Sequence, residues 1–540
     1  MRKRSSAQLS VPTDRAAYLW LVLGFLLSFI VCLITMLSSG ASAAPAGSPA
    51  TTIGKTTSTQ IENYVQQQAS ASHIPGTAMG IVNGSQPVWL RGFGNSTADT
   101  SFFLASLSKS FTALAIMQLV DQGKVNLDAP VRTYIPWFKI GDGSESSAIT
   151  VLQVLDQTSG ISPQAGLTQL NFTPATTFEQ AIHGYETFPL AARPGTLFQY
   201  SNANYSLAGY IVQQASGQSY NSYMQQHIFV PLAMTHTYAM SDTVREPGLT
   251  RGNLTWFGLM SLPVTDSFAP PSVPAGAGII SSASDMTHYL IAQMNGGVYN
   301  GTRIVSAKAM QEMHAPLSPV NVQGLIPDAT SYGLGWGVGT ISGLPVIVHS
   351  GQTRDFDAEM AILPEQKIAV VVLMNQQPQF LINYDAQLYD GVMQGITTGT
   401  FPSIGQAFHV FYGVVDAIVL ATLILMIRSF WRTLRWVQKF RGRVTRIGFW
   451  WAAARAVGLD LAIAALIAVA VLYGLGSLTG FVPLTPAFMS YGAPDVAAWI
   501  DAIILFFPVR AGMRMIVIAS RGTGAQPRRD LSRLSVGDPA

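Results

Sequence analysis

Residues 101–122 read SFFLASLSKSFTALAIMQLVDQ. Ser106 and Lys109 stand three positions apart at the start of an apolar-periodic run, which places both on one face of a helix and the lysine amine beside the serine hydroxyl. The same periodicity predicts an amphipathic helix that turns Leu107, Phe111, Leu114 and Leu119 to a core, with Gly123 as its stop signal. A serine hydroxyl is a poor nucleophile until a base removes its proton, and a lysine with its pKa lowered by burial can do so. A snorkelling lysine after a helix-start serine is the bland alternative, yet no other lysine in the 540 residues has a serine three positions before it.

Two downstream segments add chemistry in a fixed order. Phe198 to Tyr205, FQYSNANY, follows Pro194-Gly195 and precedes an apolar run from Leu207 to Gln214, so Tyr200 and Asn202 are expected on a turn entering a helix. A phenol beside a cationic amine loses its proton more readily, which makes Tyr200 a candidate base. Asn202 offers a donor and an acceptor to a substrate amide. The third segment, Val346 to Gln352, is an apolar stretch ending in His349-Ser350-Gly351-Gln352 and reads as a buried or edge strand. Ala361 to Asn375 follows as a hairpin turning at Pro364-Glu365. Gly351 allows close backbone approach, and the amides of Ser106 and Gln352 are candidates to hold an oxyanion. Arg354 has two readings, a bidentate contact to a substrate carboxylate or a pair with Asp355 or Asp357.

At these residues the chain resembles the serine β-lactamase-related hydrolases, which include class C β-lactamases, D-alanyl-D-alanine carboxypeptidases, D-amino-acid-specific peptidases and esterases. The resemblance runs from about Tyr64 to about Asn375 and extends to Val120–Asp128, Thr158-Ser159-Gly160, Pro274–Asp285 and Tyr332-Gly333-Leu334-Gly335-Trp336. It implies an α+β fold, an antiparallel sheet with flanking helices plus an all-helical region and a cleft between them. It implies Ser106 as the acylated nucleophile, Lys109 as its proton partner, Tyr200 as base and leaving-group acid, Asn202 as a substrate-amide contact, and His349, Ser350 and Gly351 as the third-motif strand. The implied partners are small peptide or ester substrates, cell-wall peptides and β-lactams among them. A sensor acylated once without turnover is the alternative. The third motif is His-Ser-Gly where β-lactamases carry Lys-Thr-Gly, which favours the carboxypeptidase and esterase branches.

Composition divides the chain. Residues 45–405 hold 13 Lys and Arg against 21 Asp and Glu, leaving 18 basic and 7 acidic residues elsewhere. Apolar stretches at Ala16–Leu37, Phe408–Ile427, Leu459–Leu478 and Ala493–Val509 approach the length needed to cross a bilayer. Arg428 to Arg446 carries seven basic residues and no acid, which assigns it to the cytoplasmic side. The expected organisation is a basic cytoplasmic tail over 1–15, a transmembrane anchor or signal peptide over 16–38, and a linker over 39–58. An extracytoplasmic hydrolase domain over 59–400 follows, then three transmembrane helices over 401–520 with a basic loop at 428–446, and a cytoplasmic tail over 521–540. This is a multi-pass protein of the cell membrane. Trp431 and Trp436 among the arginines suit lipid headgroups, and Asp416, Asp460 and Asp501 with Arg455, Arg510 and Arg514 suggest charge pairing within a bundle. The single cysteine, Cys32, excludes an intrachain disulfide. No metal-ligand spacing, phosphate-cradling loop or Rossmann pattern is present, so no cofactor is expected, and sparse basic residues outside the cytoplasmic face exclude a nucleic-acid reading.

Overall fold

The computed structural model describes residues 55–141, 143, 145–167, 177–239, 248–264, 274–320, 326, 328–377, 385–403, 406–439, 458 and 494–522. The expected segment 16–38, the middle span at 459–478, the end of the basic loop from 440 and the tail from 523 lie outside the described residues. The chain forms two compact units, Gly40–Tyr412 with Tyr491–Ala493, and the remainder, which holds the C-terminal helices.

The first unit is built on one eight-stranded antiparallel sheet. Its strands are β1 (Gly76–Asn83), β2 (Gln86–Gly94), β5 (Ser318–Pro319), β6 (Ala329–Tyr332), β7 (Gly337–Ile341), β8 (Leu344–Gln352), β9 (Asp357–Leu363) and β10 (Ile368–Met374). Their spatial order is β5-β6-β7-β8-β9-β10-β1-β2. A smaller sheet joins the hairpin β3 (Asn253–Trp256) and β4 (Met260–Pro263) to β11 (Gln376–Gln377), which pairs in parallel with β3. The expected hairpin after Ala361 is β9–β10, in register from Asp357↔Met374 to Leu363↔Ile368. Period-two alternation divides the sheet's faces. Ala358, Met360 and Ile362 pack into the main helical core, whereas Ala361 and Leu363 lie in a second core with Tyr64, Val65, Leu388 and Val392 of the covering helices α1 (Lys55–Ala71) and α5 (Asp385–Thr398).

The helical side carries α2 (Ser108–Asp121), α3 (Asn202–Ser216) and α4 (Ala283–Met294). Ser106 itself lies on a 3-10 turn, Ala105–Leu107, that precedes α2. The expected amphipathic helix is instead buried all round from Ser108 to Leu119. Its polar residues are accommodated because each hydrogen-bonds inside. Ser110 Oγ donates to the Leu107 carbonyl at 2.8 Å and accepts from Tyr289 Oη at 2.9 Å, and Thr112 Oγ1 donates to the Ala275 carbonyl at 2.6 Å. Gly123 does end the helix. Its φ is +69°, and the bonds Gly123 N–H to Val120 O and Lys124 N–H to Leu119 O close a Schellman cap.

Glu359 on β9 is wholly buried, and among the described residues neither carboxylate oxygen has a hydrogen-bond partner. Burial first, then the nearby Asp357, Asp390 and Asp328, push its pKa well above the usual range. The folded protein therefore keeps a proton that the unfolded chain releases above the ordinary glutamate pKa, so stability falls as pH rises through that window. Glu359→Gln is expected to remove this slope, up to about 1.4 kcal/mol per pH unit. Thermal unfolding at pH 5 and pH 8 checks it, and parallel curves for wild type and variant would contradict it.

The second unit holds α6 (Gln406–Lys439) from Gly413 onward and α7 (Pro494–Gly522), both long and apolar, with stretches Tyr412–Arg435 and Pro494–Ile516 sufficient in length and composition to cross a membrane. Helix α6 continues through Arg428, Arg432 and Arg435 to Lys439, so the first half of the expected basic loop is a helical extension, without the Gly or Pro that would break it. Trp499 Nε1 donates to Thr422 Oγ1 at 2.9 Å, and the buried Arg510 donates to Ser429 Oγ. Asp416 is half-buried and Asp501 exposed, while Arg455 and Asp460 lie outside the described residues.

Candidate active site

The site begins with backbone strain that the sequence does not announce. Ala105 has φ +47°, the left-handed region that costs a non-glycine residue roughly 1–2 kcal/mol, and it sits immediately before Ser106. Two glycines press other segments onto this turn. At Gly351 on β8 a Cβ would collide with the Leu104 carbonyl oxygen and lie 3.0 Å from Ser106 N. At Gly335, whose φ is +78°, a Cβ would meet Ser110 Cα at 2.8 Å and Lys109 O at 2.9 Å. The Tyr332–Trp336 segment thus braces the lysine from behind. Gly351→Ala is expected to cost about 1–3 kcal/mol and to displace the turn, because the Leu104 carbonyl oxygen that a Cβ would strike is backbone and cannot rotate away. A lowered melting temperature together with impaired activity is the expected readout, and an unchanged variant contradicts the contact.

Lys109 is the centre of the constellation. It is 0% exposed, and its Nζ lies 2.9 Å from Ser106 Oγ, 2.6 Å from Asn202 Oδ1 and 2.8 Å from the Gly276 carbonyl oxygen. Burial lowers its pKa well below the ordinary lysine value, with no carboxylate among the causes to hold the charge. A neutral amine has two N–H bonds and one lone pair. In that form the Asn202 and Gly276 oxygens, which can only accept, would take the two N–H bonds and leave the lone pair for the Ser106 hydroxyl, whereas in the ammonium form all three oxygens accept.

Helix α3 delivers the next residues. Ser201 is its N-cap, Asn202 its first residue, and Gly217 in the left-handed conformation, φ +72°, its end. The turn before it is tied down from a second layer. Gln157 Oε1 accepts from Ser201 N at 3.0 Å and Asn204 Nδ2 at 2.6 Å, and Ser159 Oγ donates to Asn204 Oδ1 at 2.6 Å. The Tyr200 ring lies under the amine, with Lys109 Nζ 4.8 Å from its centroid. Burial raises the Tyr200 pKa, and its hydrogen bond with Ser106 offsets this in part. Burial thus works against the easily ionised phenol that the sequence suggests at Tyr200.

Strand β8 is not an edge strand, since it pairs with both β7 and β9. However, its ladder with β7 stops at Gly337↔Val348, while that with β9 continues to Gln352↔Asp357. His349 to Gln352 therefore project beyond β7, and the 3-10 turn carrying Ser106 lies against this end at Gly351. His349 is wholly buried behind the site. Its Nδ1 lies 2.7 Å from the Ser350 carbonyl, which can only accept, so Nδ1 carries the proton and Nε2 accepts from Tyr332 Oη at 3.1 Å. Burial, then the Lys109 charge, push its pKa down to about 3, against the pull of the Ser350 carbonyl. Ser350 and Gln352 are half-buried on the same strand end, and Arg354 is half-buried on the bend after it. The structure thus brings Ser106, Lys109, Tyr200 and Asn202 together with Gly351 beside them, and sets His349 in a supporting layer.

The Gly276 carbonyl, Ala105, Gln157 and Tyr332 are the parts that residue-type reasoning missed. All four fall within or beside segments that carried the family resemblance, but a carbonyl acceptor and a strained φ have no signature in residue type.

Comparison with known proteins agrees with this fold. Protein flp of Staphylococcus aureus is 28% identical over 381 residues, 68% of this chain and 72% of that protein. Penicillin-binding protein 4 of Amycolatopsis lactamdurans is 27% identical over 322 residues, 56% of this chain and 81% of that one. The octameric penicillin-binding protein homologue from Pyrococcus abyssi superposes with a TM-score of 0.53 at 25% identity, covering 62% of this chain and 76% of its own. The family described as Beta-lactamase matches residues 61–390, more than half of the sequence, and the chain belongs to that family of hydrolases.

Proposed function

We propose that the chain is a membrane-anchored serine hydrolase that cleaves amides or esters through an acyl-enzyme, with D-alanyl or D-amino-acid peptides and esters as its substrate class and carboxypeptidase or esterase activity ahead of β-lactam hydrolysis. One observation carries the reading: a buried amine, its N–H bonds held by Asn202 and Gly276, 2.9 Å from the Ser106 hydroxyl.

In this reading Ser106 Oγ attacks the substrate carbonyl carbon while its proton passes to Lys109 Nζ. Negative charge on the carbonyl oxygen is received by the backbone N–H groups of Ser106 and Gln352. The tetrahedral intermediate collapses, the bond to the leaving group breaks, and the leaving group takes a proton from the Tyr200 phenol, which Lys109 replenishes. Water then attacks the acyl-enzyme and restores the serine. The open end of β8 offers Ser350 to Gln352 as a strand along which an extended acyl group can lie, and Arg354 stands near enough in sequence to meet a substrate carboxylate. The apolar helices α6 and α7 support membrane attachment, and the arginines after Ile427 support a cytoplasmic position for that end of α6, which turns the hydrolase unit outward.

The test is turnover by the full chain in detergent on p-nitrophenyl esters, D-alanyl peptides and a chromogenic cephalosporin. Repeated turnover on an ester or D-alanyl peptide is expected. A single stoichiometric acylation without turnover would replace the enzyme with a sensor, and no acylation by any of the three would remove the function.

A further inference from the structure

Gln157 stands where glycine would be easiest. The short helix Val151–Leu155 ends at Asp156, and the next residue, Gln157, has φ +65°, the left-handed conformation that closes many helices and that glycine adopts without penalty. A glutamine there is strained, and its polar side chain is wholly buried as well. Ending the helix does not by itself call for such a residue. The segment around it is fixed to the large sheet: Asp156 Oδ1 accepts from Thr158 N at 3.0 Å and from Thr158 Oγ1 at 2.6 Å, and the Asp156 carbonyl accepts from Ser318 Oγ on β5 at 2.8 Å.

Tyr200 is held between two bonds to this one residue. Gln199 N–H donates to the Gln157 carbonyl at 2.8 Å and Ser201 N–H donates to Gln157 Oε1 at 3.0 Å, so the backbone on both sides of the phenol is tied to the same point. Asn204 Nδ2 adds a third bond, to Oε1 at 2.6 Å. Because a backbone N–H can only donate, the atom facing Ser201 is the amide oxygen, which fixes the amide nitrogen on the other side. That nitrogen makes no hydrogen bond of full geometry among the described residues, but it acts on the Tyr332 phenol, whose ionised form its N–H favours. Tyr332 Oη gives its own proton to the bond with His349 Nε2 at 3.1 Å, which leaves its oxygen lone pairs for the glutamine. A line of polar groups thus runs from the turn before α3 through Gln157 and Tyr332 to His349 on β8.

We infer that Gln157 is a positioning residue: its carbonyl and Oε1 hold the Tyr200 turn, its Nε2 reaches β8 through Tyr332 and His349, and together they set the Tyr200 phenol where it can protonate the leaving group. The inference rests on the acyl-enzyme reading above. Being wholly buried, Gln157 acts through Tyr200 and not on the substrate. Ser106 and Lys109 belong to a different segment, the 3-10 turn and the start of α2, so loosening the Tyr200 turn removes the acid before it removes the nucleophile. This task accounts for a strained glutamine at a place that favours glycine.

The test compares two esters of one N-acyl-D-alanine, p-nitrophenyl and ethyl, hydrolysed by the full chain in detergent. p-Nitrophenolate leaves without a proton whereas ethoxide needs one, so kcat/KM on the ethyl ester reports the acid. Gln157→Gly suits the backbone and removes only the side chain, and Tyr200→Phe is the reference for a lost acid. Gln157→Gly is expected to lower kcat/KM by about 10²-fold on the ethyl ester and by less than about fivefold on the p-nitrophenyl ester, with phosphonate labelling of Ser106 retained and the same selective pattern in Tyr200→Phe. Should Gln157→Gly fail to fold, Gln157→Asn, whose amide falls one methylene short, is read in the same way. Equal losses on both esters, or no loss, would overturn the positioning role while leaving the hydrolase reading intact. Wild type cleaving only the p-nitrophenyl ester would show no acid to position and overturn it too. Wild type cleaving neither ester would remove the hydrolase reading and this role together. Tyr332→Phe is expected to give a weaker loss of the same selective kind that adds nothing in the Gln157→Gly background, and losses that multiply in the double variant would overturn the link to β8.

Discussion

Replacing Ser106 by alanine is expected to abolish covalent labelling by a fluorescent penicillin or a serine-reactive phosphonate and to lower ester turnover by at least about 10³-fold, with the fold intact. The size follows from what is removed. Among the described residues the other hydrogen-bond partners of the Lys109 amine are the Asn202 and Gly276 oxygens, neither of which attacks carbonyls. Stability is expected to change little. The lost hydrogen bond between Ser106 and the Lys109 amine is worth about 1 kcal/mol. Full labelling of a folded Ser106→Ala protein would place the nucleophile elsewhere.

The second large effect is at Lys109. Lys109→Arg retains a cation but cannot give up its proton at any accessible pH, and it is too large for a pocket closed by Asn202, Gly276 and Ser106. Lys109→Met keeps the approximate volume and removes the base. Both are expected to lower kcat/KM by about 10²–10⁴-fold, the range for loss of a general base, and Lys109→Met added to the Ser106→Ala background should cost nothing more because the two groups act as one unit. The pH profile separates this role from simple packing. In the proposed role Lys109 acts as the free amine, so activity is expected to fall as pH drops through its lowered pKa and to be retained above it. His349 cannot supply that acid limb above pH 4, because its own pKa is pushed down to about 3. Tyr200→Phe should keep the limb in place while slowing turnover. A Lys109→Met protein with wild-type kcat/KM and an unmoved profile would contradict the assignment.

Much of this site is legible as spacing. Serine and lysine three apart, a tyrosine and asparagine before an apolar run, and a glycine at a strand end require only helix and strand periodicity to be read as neighbours in a cleft. What stays hidden is decided by tertiary contact. The polar residues Ser110 and Thr112 make α2 look one-sided in sequence, yet each finds a partner in a different element, so the helix is buried all round. The phenol's ionisation depends on whether Lys109 carries a charge, and that depends on burial, which residue type does not report. The open end of β8 arises because β7 is shorter, a property of a different strand. In the C-terminal region hydropathy locates the helices but not their ends, because arginine and tryptophan continue a helix as readily as they begin a loop.

The most direct measurement is mass-spectrometric mapping of the adduct formed when the full chain, quenched during turnover of a p-nitrophenyl ester, is digested. The account predicts one acyl group per chain, released by mild base, on the peptide that contains Ser106 and on that residue's oxygen. An adduct on any other side chain, or continuing turnover with no covalent species trapped, would contradict it.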